Sequence, residues 1–328
     1  MDIQYGERQF YEIKQYTLAE GKANGVRCVD VDLGELSYTL IADRSLDIGG
    51  VKYRGKQIAF LSKNGVVSPS YYDLNGYGWL NSFGGGLFVT CGLQNAGDPC
   101  EFNGKSHGLH GRISHIPAER VNIQQETRSG EKYVMVSGIV RETRLMDCDY
   151  ELRRTVTSKV GGNSVVLSDR IKNRSDIPQP LMLLYHINFG YPLIGPETVL
   201  EVSGSVGIEP FDEAAEKGLA AWDRFSPPSP GVPEEVFLHD MSQTRDGRGF
   251  FSIINRAHTP ELGVDVRFSA DTLPYLGLWK SLRTGEYAVA LEPCNNHIRG
   301  VAWEYEYGNL RRLWPGEEVH TAIEFEFR

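Results

Sequence analysis

In this chain, ionisable side chains interrupt apolar or glycine-rich runs at a few places. The run Leu181 to Gly190 reads as an apolar strand that ends in His186-Ile187-Asn188. A spacing of two puts the imidazole and the amide on the same face of a strand. Imidazole is the side chain that gives or takes a proton near neutral pH. A core histidine satisfied by a backbone carbonyl is the ordinary alternative, and the second polar residue on that face favours a site. Ala288 to Leu291 leads in the same way into Glu292-Pro293. A carboxyl closing an apolar strand is partly desolvated, which raises its pKa towards that of a working base. A charged rim residue is the alternative there. His107-Gly108-Leu109-His110-Gly111-Arg112 crowds two imidazoles and a guanidinium between glycines. HxxH without a nearby acid is weak evidence for zinc. A reachable imidazole at His110 suits proton transfer or binding, against the alternative of an ordinary surface loop.

Two further segments bear on binding. Asp43-Arg44-Ser45-Leu46-Asp47 sets three charges at the end of an apolar strand. A guanidinium fixed by a neighbouring aspartate, as Arg44 and Asp47 allow, is a good donor to sugar oxygens. A solvated turn is the competing reading. Gly84-Gly85-Gly86 precedes the strand-like run Leu87 to Leu93. It marks either a close approach to a ligand or a tight bend in a crowded sandwich. No Lys-Ser/Thr follows, so it is not a phosphate loop. No GxSxG elbow and no GxGxxG after a strand occur, which disfavours hydrolase and nicotinamide chemistry. No cofactor and no metal are expected.

Short β-rich runs punctuated by Gly, Asn and Asp must hold these groups. Val26 to Leu33 and Leu36 to Ala42 flank a turn and read as a hairpin. Lys132 to Val140, Tyr150 to Ser158, Ser164 to Asn173, Tyr287 to Leu291, Gly300 to Tyr307 and Val319 to Phe327 are strand-like. Helical signal is confined to Asp212 to Trp222. The pattern predicts an all-β antiparallel sandwich with few short helices. The prolines between Asp223 and Glu235 mark a rigid surface loop rather than a linker, because β patterning resumes after it. One domain over 1–328 is therefore expected.

The bulk numbers narrow the partners. The net charge of −9 and scattered basic residues argue against nucleic acid. No run approaches the length of a membrane span, and the first residues do not read as a secretory leader. The five cysteines Cys28, Cys91, Cys100, Cys148 and Cys294 are odd in number and widely spaced, with no CxxC. A disulfide framework is not expected, and a cytoplasmic protein is. Monomer and homodimer both fit.

Taken in order, these motifs resemble the aldose 1-epimerase (galactose mutarotase-like) superfamily, and more closely its bacterial branch DUF4432. The resemblance spans nearly the whole chain. It is carried by Arg44 to Ile48, Gly84 to Leu93, Gly108 to Arg112, the late-strand His186, Glu292-Pro293 and Pro315-Gly316-Glu317. It implies a large antiparallel β-supersandwich with a free sugar in an open cleft. It also implies Glu292 as base on the anomeric hydroxyl, His186 as acid on the ring oxygen, and His110 as the group that binds and polarises the sugar. Arg44, Asp47, Asn188, Trp79 and Trp279 would contact substrate, with Tyr77 also in the aromatic cleft. The chain departs from the well-studied mutarotases in having Gly111-Arg112 after the first histidine, so Arg112 suggests an acidic or phosphorylated sugar. The second hydroxyl-binding carboxylate is not identifiable, with Asp240, Asp265 and Asp271 all open. The alternatives to mutarotation are a sugar isomerase, uronate epimerase or lyase on the same scaffold, with Tyr185 or a metal supplying a stronger base, and a non-catalytic sugar-binding protein.

Overall fold

Strand formers with period-2 burial dominate the chain, and they assemble into antiparallel sheets. The computed structural model describes residues 6–244 and 246–328; residues 1–5 of the domain expected over 1–328, and Arg245, lie outside the described residues. The expected hairpin is present: Arg27–Asp32 pairs antiparallel with Leu36–Ile41. Both belong to a five-stranded sheet that runs in chain order from Glu12–Thr17 to Lys56–Gln57.

An eight-stranded sheet is ordered Thr198–Ser203, Arg248–Asn255, Leu262–Ser269, Glu318–Phe327, Ser164–Asn173, Asp149–Lys159, Glu131–Thr143 and Glu119–Arg128. The final strand shows why it sits inside: Val319, Thr321, Ile323, Phe325 and Phe327 are buried and alternate with more accessible residues. A six-stranded sheet is ordered Gly207–Pro210, Glu235–Asp240, Tyr275–Arg283, Glu286–Cys294, Met182–Gly190 and Phe88–Leu93.

The three sheets meet in one apolar core. Phe88 of the six-stranded sheet lies 6.4 Å from Phe325 of the eight-stranded one, Phe189 lies 6.3 Å from Phe251, and Tyr53 of the five-stranded sheet lies 6.1 Å from Phe327 (ring centroids). Arg154 pins the same junction electrostatically. It is fully buried and donates to Asp47, Asp169, Thr90 and the Ser45 carbonyl, while Tyr185 donates to Asp169 at 2.7 Å.

Met182–Gly190 is buried along its whole length. Leu183, Tyr185, Ile187 and Phe189 enter the main core, while Met182 and Leu184 belong to a second apolar cluster with Trp79, Phe83 and Cys294. His186 and Asn188 share the face of this second cluster. The sheet therefore presents a covered, mostly apolar face into which only a few polar groups project.

The helix expected near Asp212 forms at Glu213–Gly218, capped by Asp212 Oδ1 accepting from the Ala215 N–H at 2.8 Å, with a 3-10 turn following at Leu219–Ala221. The strand expected over Gly300 to Tyr307 is instead a helix, Val301–Glu306. Tertiary contacts override the β-prone composition. The Val301 N–H donates to Asn95 Oδ1, and buried Glu304 accepts from the His297 N–H. No helix among the described residues is long and apolar enough to cross a membrane.

Candidate functional site

The register of two central strands creates the site. Leu184 pairs with Cys294, and Ile187 with Leu291. Between those pairs His186 and Glu292 stand across from one another, with Nε2 and Oε1 3.1 Å apart. On the other flank Gly277 pairs with Glu292 and Trp279 with Ala290. A Cβ at Gly277 would lie 2.7 Å from Ile298 Cδ1 and 3.1 Å from Glu292 Oε2, so the glycine makes room for the carboxyl. The small Ala290 stands between Asn188 and Trp279 in the register.

His110 arrives from a loop in the left-handed conformation, at φ 56°. Backbone bonds hold it there: its N–H donates to the Gly97 carbonyl at 3.0 Å and its carbonyl accepts from the Gly92 N–H at 2.9 Å. The Gly97 N–H in turn donates to His110 Nδ1 at 3.3 Å, which assigns the ring proton to Nε2. The His110 and His186 rings meet edge to face at 5.7 Å. Trp79 lies 4.8 Å from His110 and stacks on Phe83 at 4.6 Å. Phe83 lies 5.3 Å and Trp279 5.8 Å from His186. Trp79 Nε1–H donates to Ser114 Oγ, and Trp279 Nε1–H donates to Glu234 Oε2 at 2.8 Å.

Burial sets the protonation of these groups. It raises Glu292 from 4.5 to about 8, with the charge of Glu234 adding to the rise. It lowers His186 to about 4, opposed by the Asn188 amide, and lowers His110 to about 3, helped by His186. At neutral pH the pair is therefore a carboxylic acid beside a neutral imidazole, and Glu292 donates to His186 Nε2. The remaining His186 proton then sits on Nδ1. Asn188 Oδ1 is the group that acts on the ring there, although neither atom makes a hydrogen bond of good geometry among the described residues.

The other expected residues divide clearly. Trp79 and Trp279 wall the site. Asn188 shares its face but spends its amide N–H groups on the carbonyls of Gly86 (3.0 Å) and His186 (2.8 Å). The Asp47 carboxylate is taken up by Thr90 and Arg154. Arg44 donates to the carbonyls of Ser114, Val67 and Ser82, so its bonds run to the backbone behind Trp79. Arg112 exerts its field on buried Glu142 and on Tyr72 and shows none on the His186–Glu292 pair. Tyr185 faces the core, and Tyr77 is exposed.

The three glycines form the tight bend. A Cβ at Gly84, Gly85 or Gly86 would lie 2.5, 2.4 or 2.9 Å from the carbonyl oxygens of Gly65, Phe60 and Ile48. Among the open carboxylates, Asp265 pairs with Arg328, Asp240 accepts from the Ser242 N–H, and Asp271 lies against Gly247. The carboxylate beside the site is Glu234, at the end of the proline-rich loop, which sequence reasoning missed. No signal in the sequence marks it, since its contact is with an indole on a different strand. Among the described residues, no group of three or more His, Cys, Asp or Glu is placed to hold a metal ion.

Comparison with known proteins agrees with this architecture. A solved Klebsiella pneumoniae protein, assigned provisionally as an aldose 1-epimerase, superposes with a TM-score of 0.91 at 25% identity, over 97% of this chain and 83% of that one. A galactose mutarotase-like protein from Clostridium acetobutylicum gives 0.63 at 14% identity, over 98% and 99% of the two chains. A galactose mutarotase related enzyme from Lactobacillus acidophilus gives 0.59 at 14%, over 96% and 97%. No curated protein matches the sequence. The fold is thus the all-β galactose mutarotase-like one. The model of the family described as a domain of unknown function, DUF4432, matches residues 23–327, and the chain belongs to that family.

Proposed function

We propose that this protein is a carbohydrate-binding enzyme, one domain over 1–328, that interconverts the anomers of a free sugar in the manner of an aldose 1-epimerase. The observation that carries the reading is the buried His186–Glu292 pair, 3.1 Å apart, inside a wall of aromatic rings.

A cyclic sugar carries its ring oxygen and anomeric hydroxyl on the same carbon. Two groups standing side by side can serve both oxygens at once. The neutral imidazole takes the proton of the anomeric hydroxyl as the carboxylic acid gives its own to the ring oxygen. The C1–ring-oxygen bond breaks and an open-chain aldehyde forms. Rotation about C1–C2 presents the other face of the carbonyl. On closure Glu292 takes back the proton from the hydroxyl and His186 returns its own to the carbonyl oxygen. The family resemblance gives Glu292 the base role in ring opening; the protonation that burial favours starts the exchange in the opposite sense. Positioned proton transfer of this kind contributes about 10²- to 10⁴-fold each way, and it needs no cofactor.

His110 Nε2–H supports this chemistry by donating to a sugar hydroxyl. Trp79, Phe83 and Trp279 pack against the apolar face of the ring. Glu234 accepts from further hydroxyls. With Glu234 beside the site, the field of Arg112 falling on Glu142 and Arg44 bonded to backbone, an uncharged sugar fits better than a uronate or sugar phosphate. This reading differs from the acidic or phosphorylated sugar that Arg112 suggests in the sequence. Polarimetry across neutral, acidic and phosphorylated aldoses tests the reading. Accelerated mutarotation of a neutral aldose, unchanged by EDTA and by Arg112→Ala, is expected. No acceleration with any free sugar contradicts it.

A further inference from the structure

Trp79 walls the sugar site, and its indole N–H enters a buried polar cluster. Nε1 donates to Ser114 Oγ at 3.3 Å. Ser114 Oγ lies 3.0 Å from His115 Nδ1, and His115 Nε2 lies 2.7 Å from Ser82 Oγ. Ser82 Oγ in turn donates to the Trp79 carbonyl at 3.2 Å. These contacts close a ring that starts and ends on Trp79, and all of its members are buried.

Hydrogen-bond chemistry sets the direction of that ring. An indole nitrogen only donates, so Ser114 Oγ accepts from it and has its own proton to give. The acceptor within reach is His115 Nδ1, which therefore carries no proton. Nε2–H then donates to Ser82 Oγ, and the Ser82 hydroxyl donates to the Trp79 carbonyl. The opposite tautomer would make Nδ1 a second donor to Ser114 Oγ, would leave the Ser114 proton with no acceptor in the ring, and would turn the Ser82 proton away from the Trp79 carbonyl. The first tautomer satisfies every member, which assigns it. Bonds that run in one direction also strengthen one another. Burial, with the charge of Arg44 adding, lowers His115 to about 2, so the imidazole stays neutral.

The ring ties together two segments that wall the site. Trp79 belongs to the 3-10 turn Gly78–Asn81, with Ser82 as its C-cap. Ser114 and His115 belong to the turn Ile113–His115, which follows closely on His110. Arg44 braces both turns at once, donating through Nε to the Ser114 carbonyl and through Nη1 to that of Ser82 at 3.1 Å. Tyr72 stacks on the His115 ring at 4.2 Å. A phenylalanine could line a sugar site without any of these polar groups, whereas a buried indole needs its N–H met. Meeting it here also fixes how the indole stands against His110, 4.8 Å away.

We propose that Ser82, Ser114 and His115 are positioning residues for the sugar: through the indole N–H they hold the plane of Trp79 against the apolar face of the sugar ring and beside His110. Arg44 anchors their backbone and has no contact with substrate. That Trp79 meets a sugar rests on the mutarotase reading; the directed ring and its tautomer do not. Because Trp79 touches the body of the sugar and none of its reacting atoms, the ring acts on binding more than on the proton transfer.

Nitrogen NMR of histidine-labelled full chain at pH 7 reads the tautomer, and His115 is expected to carry its one proton on Nε2. Ser114→Ala removes the acceptor of the indole N–H with little change of volume. It is expected to speed hydrogen exchange at the Trp79 indole at least tenfold, and to raise KM for a neutral aldose about fivefold with a smaller change in kcat. Ser82→Ala opens the ring at its other end and is expected to raise KM in the same sense. In a Trp79→Phe background, which has no indole N–H, Ser114→Ala is expected to add nothing to KM. A proton on His115 Nδ1, unchanged indole exchange in Ser114→Ala, a KM that neither serine variant moves, or a Ser114→Ala effect as large beside Trp79→Phe as in wild type overturns the proposal. Failure of the mutarotase reading looks different: no aldose turns over, while the tautomer and the indole exchange, which need no sugar, still decide whether the ring exists.

Discussion

Replacing Glu292 by glutamine is expected to make the protein more stable while removing its proton transfer. The carboxyl is 3% exposed, and the folded state moves its pKa from 4.5 to about 8. A carboxyl whose pKa is raised on folding holds its proton more tightly in the native than in the unfolded state. Its burden on the folded state is absent below pH 4.5, grows between 4.5 and 8, and is complete above 8. At about 1.4 kcal/mol for each pH unit in that window, the burden is roughly 3 kcal/mol at pH 7 and approaches 5 kcal/mol at pH 9 as an upper bound. Glutamine has nearly the same shape, never ionises, and donates an amide N–H to His186 Nε2 where the acid donated its O–H. The other titrating groups are common to both proteins and cancel in the difference. Urea unfolding of wild type and Glu292→Gln at pH 4.5, 7 and 9 reads the effect. The variant should match wild type at pH 4.5 and exceed it by a few kcal/mol at pH 9. A variant no more stable than wild type at pH 9 refutes the claim that the site holds a protonated carboxyl.

Other perturbations test the scaffold. Gly277→Ala forces a methyl to within 3.1 Å of Glu292 Oε2 and 2.7 Å of Ile298 Cδ1, and should cut kcat/KM by about tenfold or more with a smaller effect on KM. Arg154→Met strands Asp47 and Asp169 without their cation, and should cost about 3 to 5 kcal/mol in denaturant unfolding. Glu234→Gln removes the negative charge that adds to the rise of Glu292, so the carboxyl limb of the pH–rate profile should move to lower pH; a profile that moves up or stays fixed contradicts the assignment of Glu234.

The all-β architecture was legible because alternation at period 2 survives in strands such as Glu318–Phe327 and Ser164–Asn173. His186 and Glu292 were legible as polar groups interrupting apolar runs, though the strands expected to end at them carry on to Gly190 and Cys294. Their contact was not, since cross-strand register depends on pairings between residues over a hundred positions apart. Val301–Glu306 was misread because Val, Trp and Tyr favour strands locally, while Asn95 and His297 fix the helix from outside it. Arg44 and Asp47 stood out as charges at a strand end, but sequence could not tell the pairing of Asp47 with buried Arg154, or the bonds of Arg44 to backbone carbonyls, from a substrate contact. Glu234 was hidden in a loop read only as proline-rich, because its relevance comes from an indole on a different strand.

The central claim is that the His186–Glu292 pair moves protons on a cyclic sugar. Magnetisation exchange between the C1 signals of the two anomers of a neutral aldose at pH 7 tests it most directly. Wild type should speed the exchange in proportion to enzyme concentration, and folded Glu292→Gln and His186→Gln should each lose at least 10²-fold of that acceleration. Exchange that continues at the wild-type rate in either folded variant contradicts it.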